Sequence, residues 1–292
     1  MKDNPWIMAA RPATLWAAIA PVVVAASLAI PDDAFRLDVL LVTLLAAIAI
    51  QVGVNFANDL ADAARGADTV TRIGPTRAVA AGLITPRQMR NGMIAAFGFA
   101  ALGGIYLTVV AGWVVIAIGV ASIVAALGYT NGPVPYGYYG LGELFVFIFF
   151  GLVATVGARY VYDQSAPLDA WICGVVMCLF AAAILIANNL RDIDTDRAAG
   201  KRTLAVILGR NATRTMYALA ILGAFGMIAL GAAATWLPAG TMIAYIASPL
   251  ALPLFRIVGT QTAGPPLIRA LKGTARLQVL VAALMSVGIL LS

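Results

Sequence analysis

The chain has 292 residues, of which 62% are hydrophobic and only 11% are charged. This composition, with a mean hydropathy of +0.94, excludes a soluble globular domain and indicates a membrane protein with several spans. The net charge of +6 is expected to reflect membrane topology rather than nucleic-acid binding, and the absence of histidine excludes histidine catalysis and histidine metal ligation.

Nine apolar runs are long enough to cross a membrane, because a spanning helix needs about 20 mostly apolar residues. They predict an all-α polytopic membrane protein, and no shift in composition marks a second domain within residues 1–292. Residues 1–11 lack the features of a cleaved signal peptide, so the first run is expected to remain as an anchor. The nine predicted spans are 13–30, 39–58, 91–110, 112–129, 141–162, 168–189, 214–234, 239–255 and 275–291.

Lysine and arginine are distributed unevenly between the predicted loops. With the N-terminus inside, the inner segments and their flanks hold all but two of the 19 basic residues, the exceptions being Arg36 and Arg159. Cytoplasmic loops carry an excess of positive charge, so the polar loops 59–90 and 190–213 are expected on the cytoplasmic side. The membrane is expected to be a prokaryotic inner membrane. Contact of this charge with membrane lipid is a secondary expectation.

The first polar loop opens with carboxylates and amides. Asn58, Asp59 and Asp62 close the second predicted span. If that helix continues past the membrane, Asn55, Asp59 and Asp62 share one face, since they are spaced i, i+4, i+7. Asp68 follows a glycine that is expected to let the chain turn back toward this cluster. Three arginines come next as candidates for binding phosphate oxygens: Arg65, Arg72 and Arg77.

The fifth and sixth predicted spans carry three residues with reactive side chains. Glu143 is the only glutamate of the chain and begins the fifth span, where the helix dipole also favours an acid. A catalytic base and a helix-terminal charge are both open interpretations of it. Cys173 and Cys178 lie inside the apolar sixth span and are interpreted as buried, unreactive thiols.

A second carboxylate cluster ends the sixth predicted span. Asn188, Asp192 and Asp196 are spaced i, i+4, i+8 and are predicted to lie on one helix face. Asp194 points away from that face and is expected to pair with a neighbouring arginine of its own helix. Ionisable groups near membrane depth are costly to retain, so both clusters are predicted to serve function.

Both polar loops place a cation shortly after their carboxylates. Lys201 follows the second cluster and Arg77 follows the first, and each is a candidate for binding diphosphate oxygens. The loops resemble each other in their order of acid, glycine and base. A duplicated four-helix unit and convergent site chemistry are the open explanations for this similarity.

Two carboxylate stripes facing one cavity predict a site for divalent cations. Mg²⁺ takes oxygen ligands, keeps several waters and commonly shares its coordination shell with substrate phosphate. Two ions are expected to clamp a diphosphate. The open alternative is a structural network of ion pairs with the loop arginines. The predicted ligands are Asp59, Asp62, Asp192, Asp196, Asn55, Asn58 and Asn188.

The two clusters resemble the hallmark motifs of the UbiA superfamily of intramembrane prenyltransferases, NDxxD after the second span and DxxxD after the sixth. Finer detail is similar to the branch that prenylates 1,4-dihydroxy-2-naphthoate in menaquinone synthesis. This likeness covers residues 10 to about 210 and is strongest over 188–206, where Asn-Asn-Leu-Arg-Asp-Ile-Asp precedes Gly-Lys-x-Thr-Leu-Ala-Val. Asp68 follows Asp62 by six residues instead of the commoner four, which fits the naphthoate branch better than a hydroxybenzoate enzyme.

The resemblance implies nine helices around a central cavity, a polyprenyl diphosphate donor and an aromatic acid acceptor. Mg²⁺ and Lys201 would stabilise the leaving diphosphate, and the acceptor ring would attack the allylic cation with loss of CO₂. Asp68 and Glu143 are candidates for deprotonating the acceptor. The implied substrate contacts are Arg65, Arg72, Arg77, Tyr129, Asn189, Arg191 and Lys201. The aromatic faces available to the cation are Phe56, Tyr129, Phe145, Phe149 and Tyr160.

Two other protein classes are alternatives. A CDP-alcohol phosphotransferase would keep its acids and glycines in one contiguous signature, and a divalent-cation transporter would place acids near the bilayer midplane. Both are disfavoured, because the acids here form two clusters at span ends beside arginines. Within the superfamily, 4-hydroxybenzoate, homogentisate and a lipid glycerol phosphate stay open as acceptors. Prenyl chain length and oligomeric state do not follow from the sequence.

Overall fold

A computed structural model describes residues 4–64, 77–130, 135–262 and 264–292. These residues form eleven α-helices, two 3₁₀ helices and one π-helix, with no β-strand among them. The α-helices are α1 (Pro5–Ala10), α2 (Pro12–Ala29), α3 (Leu37–Ala64), α4 (Pro86–Ala111), α5 (Val114–Gly128), α6 (Gly142–Val146), α7 (Ala158–Asp163), α8 (Leu168–Ala198), α9 (Leu204–Ala233), α10 (Ala251–Thr260) and α11 (Pro265–Leu290). The 3₁₀ helices are Tyr136–Tyr138 and Ala239–Leu250, and the π-helix is Phe147–Gly157.

The predicted all-α polytopic fold is confirmed. Within the described residues, eight helical stretches are long and apolar enough to cross a membrane, and they correspond to eight of the nine predicted spans. The fourth predicted span is α5, which has only 15 residues. At 1.5 Å per residue it rises about 22 Å, less than the roughly 30 Å of a bilayer core. Gly112 separates it from α4 in a left-handed conformation with φ +84°, which glycine adopts readily.

Two helices extend beyond their apolar runs and carry the polar motifs. α3 continues to Ala64 and α8 to Ala198, so both carboxylate clusters stand on regular helical turns. Each helix therefore continues beyond its predicted apolar span, as expected. The rigid backbone at both places fixes the direction in which each side chain points.

The core is centred on α8, the most buried of the long helices. It packs against α9, α11, α2 and the π-helix. Phe180 and Tyr217 are fully buried in this core, and the Tyr217 hydroxyl forms a hydrogen bond of 2.7 Å with Thr274 Oγ1. The second carboxylate cluster lies at the C-terminal end of this core helix.

Arg159 joins α7 to the segment after α2 through ion pairs. This fully buried residue of α7 donates to Asp163 at 2.7 Å and also pairs with Asp32, which follows α2. Arg159 is one of the two basic residues that the sequence places outside the inner segments. Its two aspartate partners neutralise the buried guanidinium.

Gly240 and Gly288 let the 3₁₀ helix Ala239–Leu250 approach α11 at backbone contact. A Cβ atom at Gly288 would lie 2.1 Å from the Gly240 carbonyl oxygen, so no side chain fits unless the backbone moves. Gly288→Ala is expected to lower the free energy of unfolding by about 1–3 kcal/mol, measured as a lower apparent melting temperature in detergent. Gly226→Ala on α9 is the control, because a Cβ there meets nothing within 4 Å. Equal effects of both substitutions would contradict this account of the contact.

Candidate active site

The helices enclose a cavity of about 660 Å³ whose lining is mainly apolar. Its walls come from α2, α3, α5, the π-helix and α8. Charged and amide side chains gather at the end of the cavity where α3 and α8 finish. This polar end is lined by Asn55, Asn58, Asp62, Arg77, Asn188, Asn189, Asp192, Asp196 and Lys201.

Asp62 is the central carboxylate contributed by α3. Its Oδ2 accepts from the Arg77 guanidinium at 2.5 Å, and its Oδ1 accepts from the Tyr138 hydroxyl at 2.8 Å. The Lys201 ammonium is 3.3 Å from the same Oδ1. The residue is only 3% exposed, so these three donors carry the stabilisation that water would otherwise give to its charge. Arg77 lies at the cavity, as expected for a substrate contact, with Asp62 as its partner.

Asp59 differs from the prediction. Its two carboxylate oxygens accept the backbone N–H groups of Ala78 and Val79 at 3.0 and 3.2 Å, and it does not line the cavity. The cavity face of α3 is formed instead by Asn55, Asn58 and Asp62, spaced i, i+3, i+7. The reason is a contact from a later part of the chain, because the segment after residue 76 lies beside α3 and the backbone N–H groups of Ala78 and Val79 need an acceptor.

Asn55 and Asn58 keep their amides at the cavity through contacts with other segments of the chain. The NH₂ group of Asn55 donates to the Ala10 carbonyl at 2.8 Å and to Thr14 Oγ1 at 3.0 Å, which leaves its amide oxygen as the atom suited to bind a ligand. Asn58 Oδ1 accepts from Thr130 Oγ1 at 2.8 Å. Both contacts restrict the rotamers of the two asparagines.

The end of α8 presents Asn188, Asp192 and Asp196 to the cavity. Arg191 does not line the cavity. It donates to both oxygens of Asp192 at 2.7 and 2.5 Å and to Asn188 Oδ1 at 3.0 Å, so it supports the cluster from behind. Asp194 is exposed and pairs with Arg210 of α9 at 2.6 Å rather than with an arginine of its own helix. That pairing corrects the predicted local partner and confirms that Asp194 points away from the stripe.

Lys201 joins the two clusters. Its Nζ lies 3.3 Å from Asp62 Oδ1 and 3.9 Å from Asp196 Oδ1, although Asp62 and Asp196 belong to different helices. Burial lowers the pKa of the Lys201 ammonium, but the two carboxylates and the Tyr138 phenol outweigh that effect, and its pKa is raised overall. The Lys201 ammonium therefore lies between the two motifs, and its surroundings favour the charged form.

Glu143 lies behind the cavity wall and contacts it through Asn189. Its Oε1 accepts from the Asn189 amide at 2.8 Å, and its Oε2 has no hydrogen-bond partner among the described residues. Asn189 itself lines the cavity. Glu143 is thus placed to orient a cavity amide, while its own carboxylate does not line the cavity.

Aromatic rings form the cavity wall next to the polar end. Phe145 stacks on Tyr136 with ring centroids 3.8 Å apart, and Phe149 continues the stack at 6.1 Å from Phe145. Tyr129 also lines the cavity. The other two predicted aromatics are absent from the lining: Phe56 packs against Trp6 at a centroid distance of 5.6 Å, and Tyr160 packs in the core beside α3 and α4.

Three predicted site residues lie outside the described residues: Arg65, Asp68 and Arg72. Conversely, the sequence interpretation missed Tyr138 and Thr14. Thr14 Oγ1 accepts from Gln51 at 3.1 Å and from Asn55, and Tyr138 contacts Asp62. Nothing in residue type or spacing separates Tyr138 from its neighbours Tyr136 and Tyr139, so only the fold identifies it.

The oxygen atoms at the polar end suit a hard divalent cation such as Mg²⁺. Carboxylates of Asp62, Asp192 and Asp196 and amides of Asn58 and Asn188 all line this one end. Among the residues that the structure describes, no three acidic side chains converge closely enough to hold a metal alone. Mg²⁺ commonly takes only one or two protein carboxylates and completes its shell with water and substrate phosphate.

The sequence pattern of the UbiA prenyltransferase family matches residues 18–290. The 1,4-dihydroxy-2-naphthoate octaprenyltransferase of Mycobacterium tuberculosis is 40% identical over 290 residues, which cover 98% of this chain and 96% of that protein. The Escherichia coli enzyme of the same name is 37% identical over 238 residues, covering 78% of this chain and 76% of its own length.

The fold is also shared with solved structures. A UbiA homolog from Archaeoglobus fulgidus bound to DMAPP and Mg²⁺ has a TM-score of 0.70 at 14% identity, covering 99% of this chain and 100% of that one. A UbiA homolog from Aeropyrum pernix has a TM-score of 0.68 at 18% identity, covering 95% and 97%. Family pattern, full-length relatives and fold agree, and the chain is a prenyltransferase that belongs to the UbiA family.

Proposed function

We propose that this protein transfers a polyprenyl group from its diphosphate to 1,4-dihydroxy-2-naphthoate, with loss of CO₂, on the route to menaquinone. The observation that carries the proposal is the position of Lys201, which contacts a carboxylate of each motif at the polar end of an apolar cavity. The acceptor is proposed from the names of relatives that align over most of this chain, including the Mycobacterium tuberculosis enzyme.

The polar end is suited to hold the diphosphate of the donor. Lys201 and Arg77 are cations at the cavity, and both are oriented by Asp62. When Mg²⁺ is bound by the oxygens of Asp62, Asp192 and Asp196, it supplies neutralisation of the charge that develops on the leaving diphosphate. One or two ions are compatible with this donor set. Fixed charges in a cavity that excludes water stabilise such a leaving group more strongly than the same charges in solution.

The apolar part of the cavity is suited to the prenyl group. Departure of diphosphate breaks a C–O bond and leaves an allylic cation, which water would quench. The stacked rings of Tyr136, Phe145 and Phe149 line the cavity, where they would exclude water and their π-electrons would stabilise positive charge. Attack by the acceptor ring forms a C–C bond, and departure of the carboxylate as CO₂ returns the electron pair to the ring.

The acceptor needs a partner for its acidic groups. In this proposal Asn189, held by Glu143 at 2.8 Å, contacts the acceptor, and Glu143 acts through it. Asp68 as the base and Arg65 or Arg72 as substrate contacts stay predictions. A contribution of Asp59 to metal binding stays a prediction. In the structure its carboxylate binds the backbone of the segment that carries Arg77.

The site is proposed to face the cytoplasm of a prokaryotic membrane. Arg77 and Lys201 belong to the two polar segments that carry much of the positive charge, and such segments stay on the inner side. A cation transporter is disfavoured, because the chain belongs to the UbiA prenyltransferase family and a relative aligned over 98% of it is named an octaprenyltransferase.

A turnover assay on purified protein tests the proposal. One prenyl diphosphate is offered with Mg²⁺ and a panel of 1,4-dihydroxy-2-naphthoate, 4-hydroxybenzoate and homogentisate. The expected product has the mass of the naphthoate plus the prenyl group minus CO₂, and diphosphate is released only when Mg²⁺ is present. A product from another acceptor alone, or one that keeps the carboxylate, would overturn the assignment of substrate.

A further inference from the structure

We propose that Tyr138 is a positioning residue that fixes the Asp62 carboxylate and the Lys201 ammonium for donor binding, an inference that rests on the proposed function. The Tyr138 hydroxyl donates to Asp62 Oδ1 at 2.8 Å. The Lys201 ammonium lies 4.6 Å from the centroid of the Tyr138 ring and 3.3 Å from the same Asp62 oxygen. One side chain therefore touches both charges that would meet the diphosphate.

These contacts add to the ion pairs that already hold the Asp62 carboxylate and the Lys201 ammonium. A lysine ammonium sits on a flexible four-carbon stem and loses rotamer freedom when it is held in one place. The face of the Tyr138 ring attracts the cation and reduces that freedom before substrate arrives. The hydroxyl directs Asp62 Oδ1, while Arg77 holds Asp62 Oδ2 at 2.5 Å. Groups that orient metal and phosphate ligands in this way commonly alter affinity without touching the reacting atoms.

The backbone of Tyr138 ties the same parts of the fold together. Its carbonyl accepts the N–H of Arg202, the residue after Lys201, at 2.9 Å. Gly140 stands in a left-handed conformation at φ +76°, where a Cβ would lie 2.9 Å from the Ile207 side chain. The segment that carries Tyr138 is thus packed against the segment that carries Lys201, and this packing holds the phenol close to the ammonium.

The neighbouring tyrosines, Tyr136 and Tyr139, contact neither Asp62 nor Lys201 through their described hydrogen bonds and ring contacts. Tyr136 donates to the Ala125 carbonyl and stacks on Phe145, which makes it part of the wall. Tyr139 is 54% exposed and does not line the cavity. Tyr139→Phe is therefore a matched control for Tyr138→Phe, since each substitution removes one tyrosine hydroxyl and the two positions are adjacent.

The test measures direct binding of a prenyl thiolodiphosphate, a donor analogue whose sulfur bridge resists cleavage, with Mg²⁺ in detergent. Tyr138→Phe, which keeps the ring, is expected to weaken binding about 10-fold, and Tyr138→Leu, which removes ring and hydroxyl, is expected to weaken it further. Tyr139→Phe should bind as the wild type does. In turnover, the donor KM should rise in Tyr138→Phe while the acceptor KM stays within about twofold.

The possible outcomes separate this inference from the proposed function. If the wild type binds the analogue and Tyr138→Phe binds it equally well, or if only the acceptor KM rises, the inference is overturned and the function stands. If the wild type fails to bind the analogue at all, the proposed function fails and the inference fails with it. Melting temperatures close to that of the wild type show that each variant is folded, so that a loss of affinity reports on the site.

Discussion

Asp196→Asn is expected to lower kcat/KM for prenyl transfer by on the order of 10³-fold, about 4 kcal/mol of transition-state stabilisation. The side chain lines the polar end of the cavity and lies 3.9 Å from Lys201. Asparagine preserves the size of the side chain but removes the negative charge that a metal–diphosphate complex would require. The effect should appear in turnover assays at saturating Mg²⁺.

Asp194→Asn is the control for this substitution. Asp194 is on the same helix two residues earlier, but it is exposed and pairs with Arg210 instead of lining the cavity. Its activity should stay within about twofold of the wild type, because a surface ion pair contributes little. Equal losses in the two variants would mean that the charge of the helix end matters and that the position of Asp196 at the cavity does not.

Lys201→Met is expected to reduce kcat/KM by about 10²-fold, mainly through weaker binding of the donor. Methionine keeps much of the stem but leaves Asp62 and Asp196 without the cation that bridges them. The measurement is the KM for the prenyl diphosphate compared with the KM for the acceptor. The pKa of Lys201 is raised, so its ammonium is expected to stay protonated from neutral pH up to the ordinary lysine pKa. Over that range, wild-type activity should not fall through deprotonation of Lys201.

Arg202→Gln provides the matched control. Arg202 is the adjacent cation and is exposed, and its backbone N–H rather than its side chain donates to Tyr138. Its donor KM should stay close to that of the wild type. A rise of the acceptor KM alone in Lys201→Met would show that the lysine binds the acceptor and that its assigned role is wrong.

The helices were predictable from the sequence because a membrane span has a simple physical signature. An apolar run of the required length leaves few alternatives to a helix, since every backbone polar group must be satisfied internally. The short α5 was predicted in the right place, as the span 112–129, but the helix has only 15 residues, which is fewer than a membrane span needs. The π-helix Phe147–Gly157 was not predicted, since its sequence is as apolar and as helical in type as its neighbours.

The candidate site was predictable only to the level of helix faces. Spacing correctly placed Asp192 and Asp196 on one stripe, and it put Asp62 at the cavity. It did not distinguish Asp59 from Asn58, because both lie within about 60° of the stripe on a helical wheel and the choice depends on a loop that returns from elsewhere. The local sequence around Asp59 does not show that Ala78 and Val79 will pack beside it.

Contacts between distant segments account for the remaining differences. Arg191 lies within the second cluster in sequence, between Asn188 and Asp192, yet its side chain turns behind the helix to Asp192. Tyr138 is separated from both motifs in the sequence and reaches them only through the packing of its 3₁₀ turn. Such residues have no local pattern, since their role is defined by what the fold brings beside them.

The most direct test of the central claim is a double-mutant cycle between the two helices. Binding of the prenyl thiolodiphosphate with Mg²⁺ is measured for the wild type, Asp62→Asn, Asp196→Asn and the double variant. If α3 and α8 grip one diphosphate, the two losses of binding free energy should be non-additive, with a coupling of about 0.5–3 kcal/mol. Strictly additive losses, or a loss in only one of the single variants, would contradict a shared site.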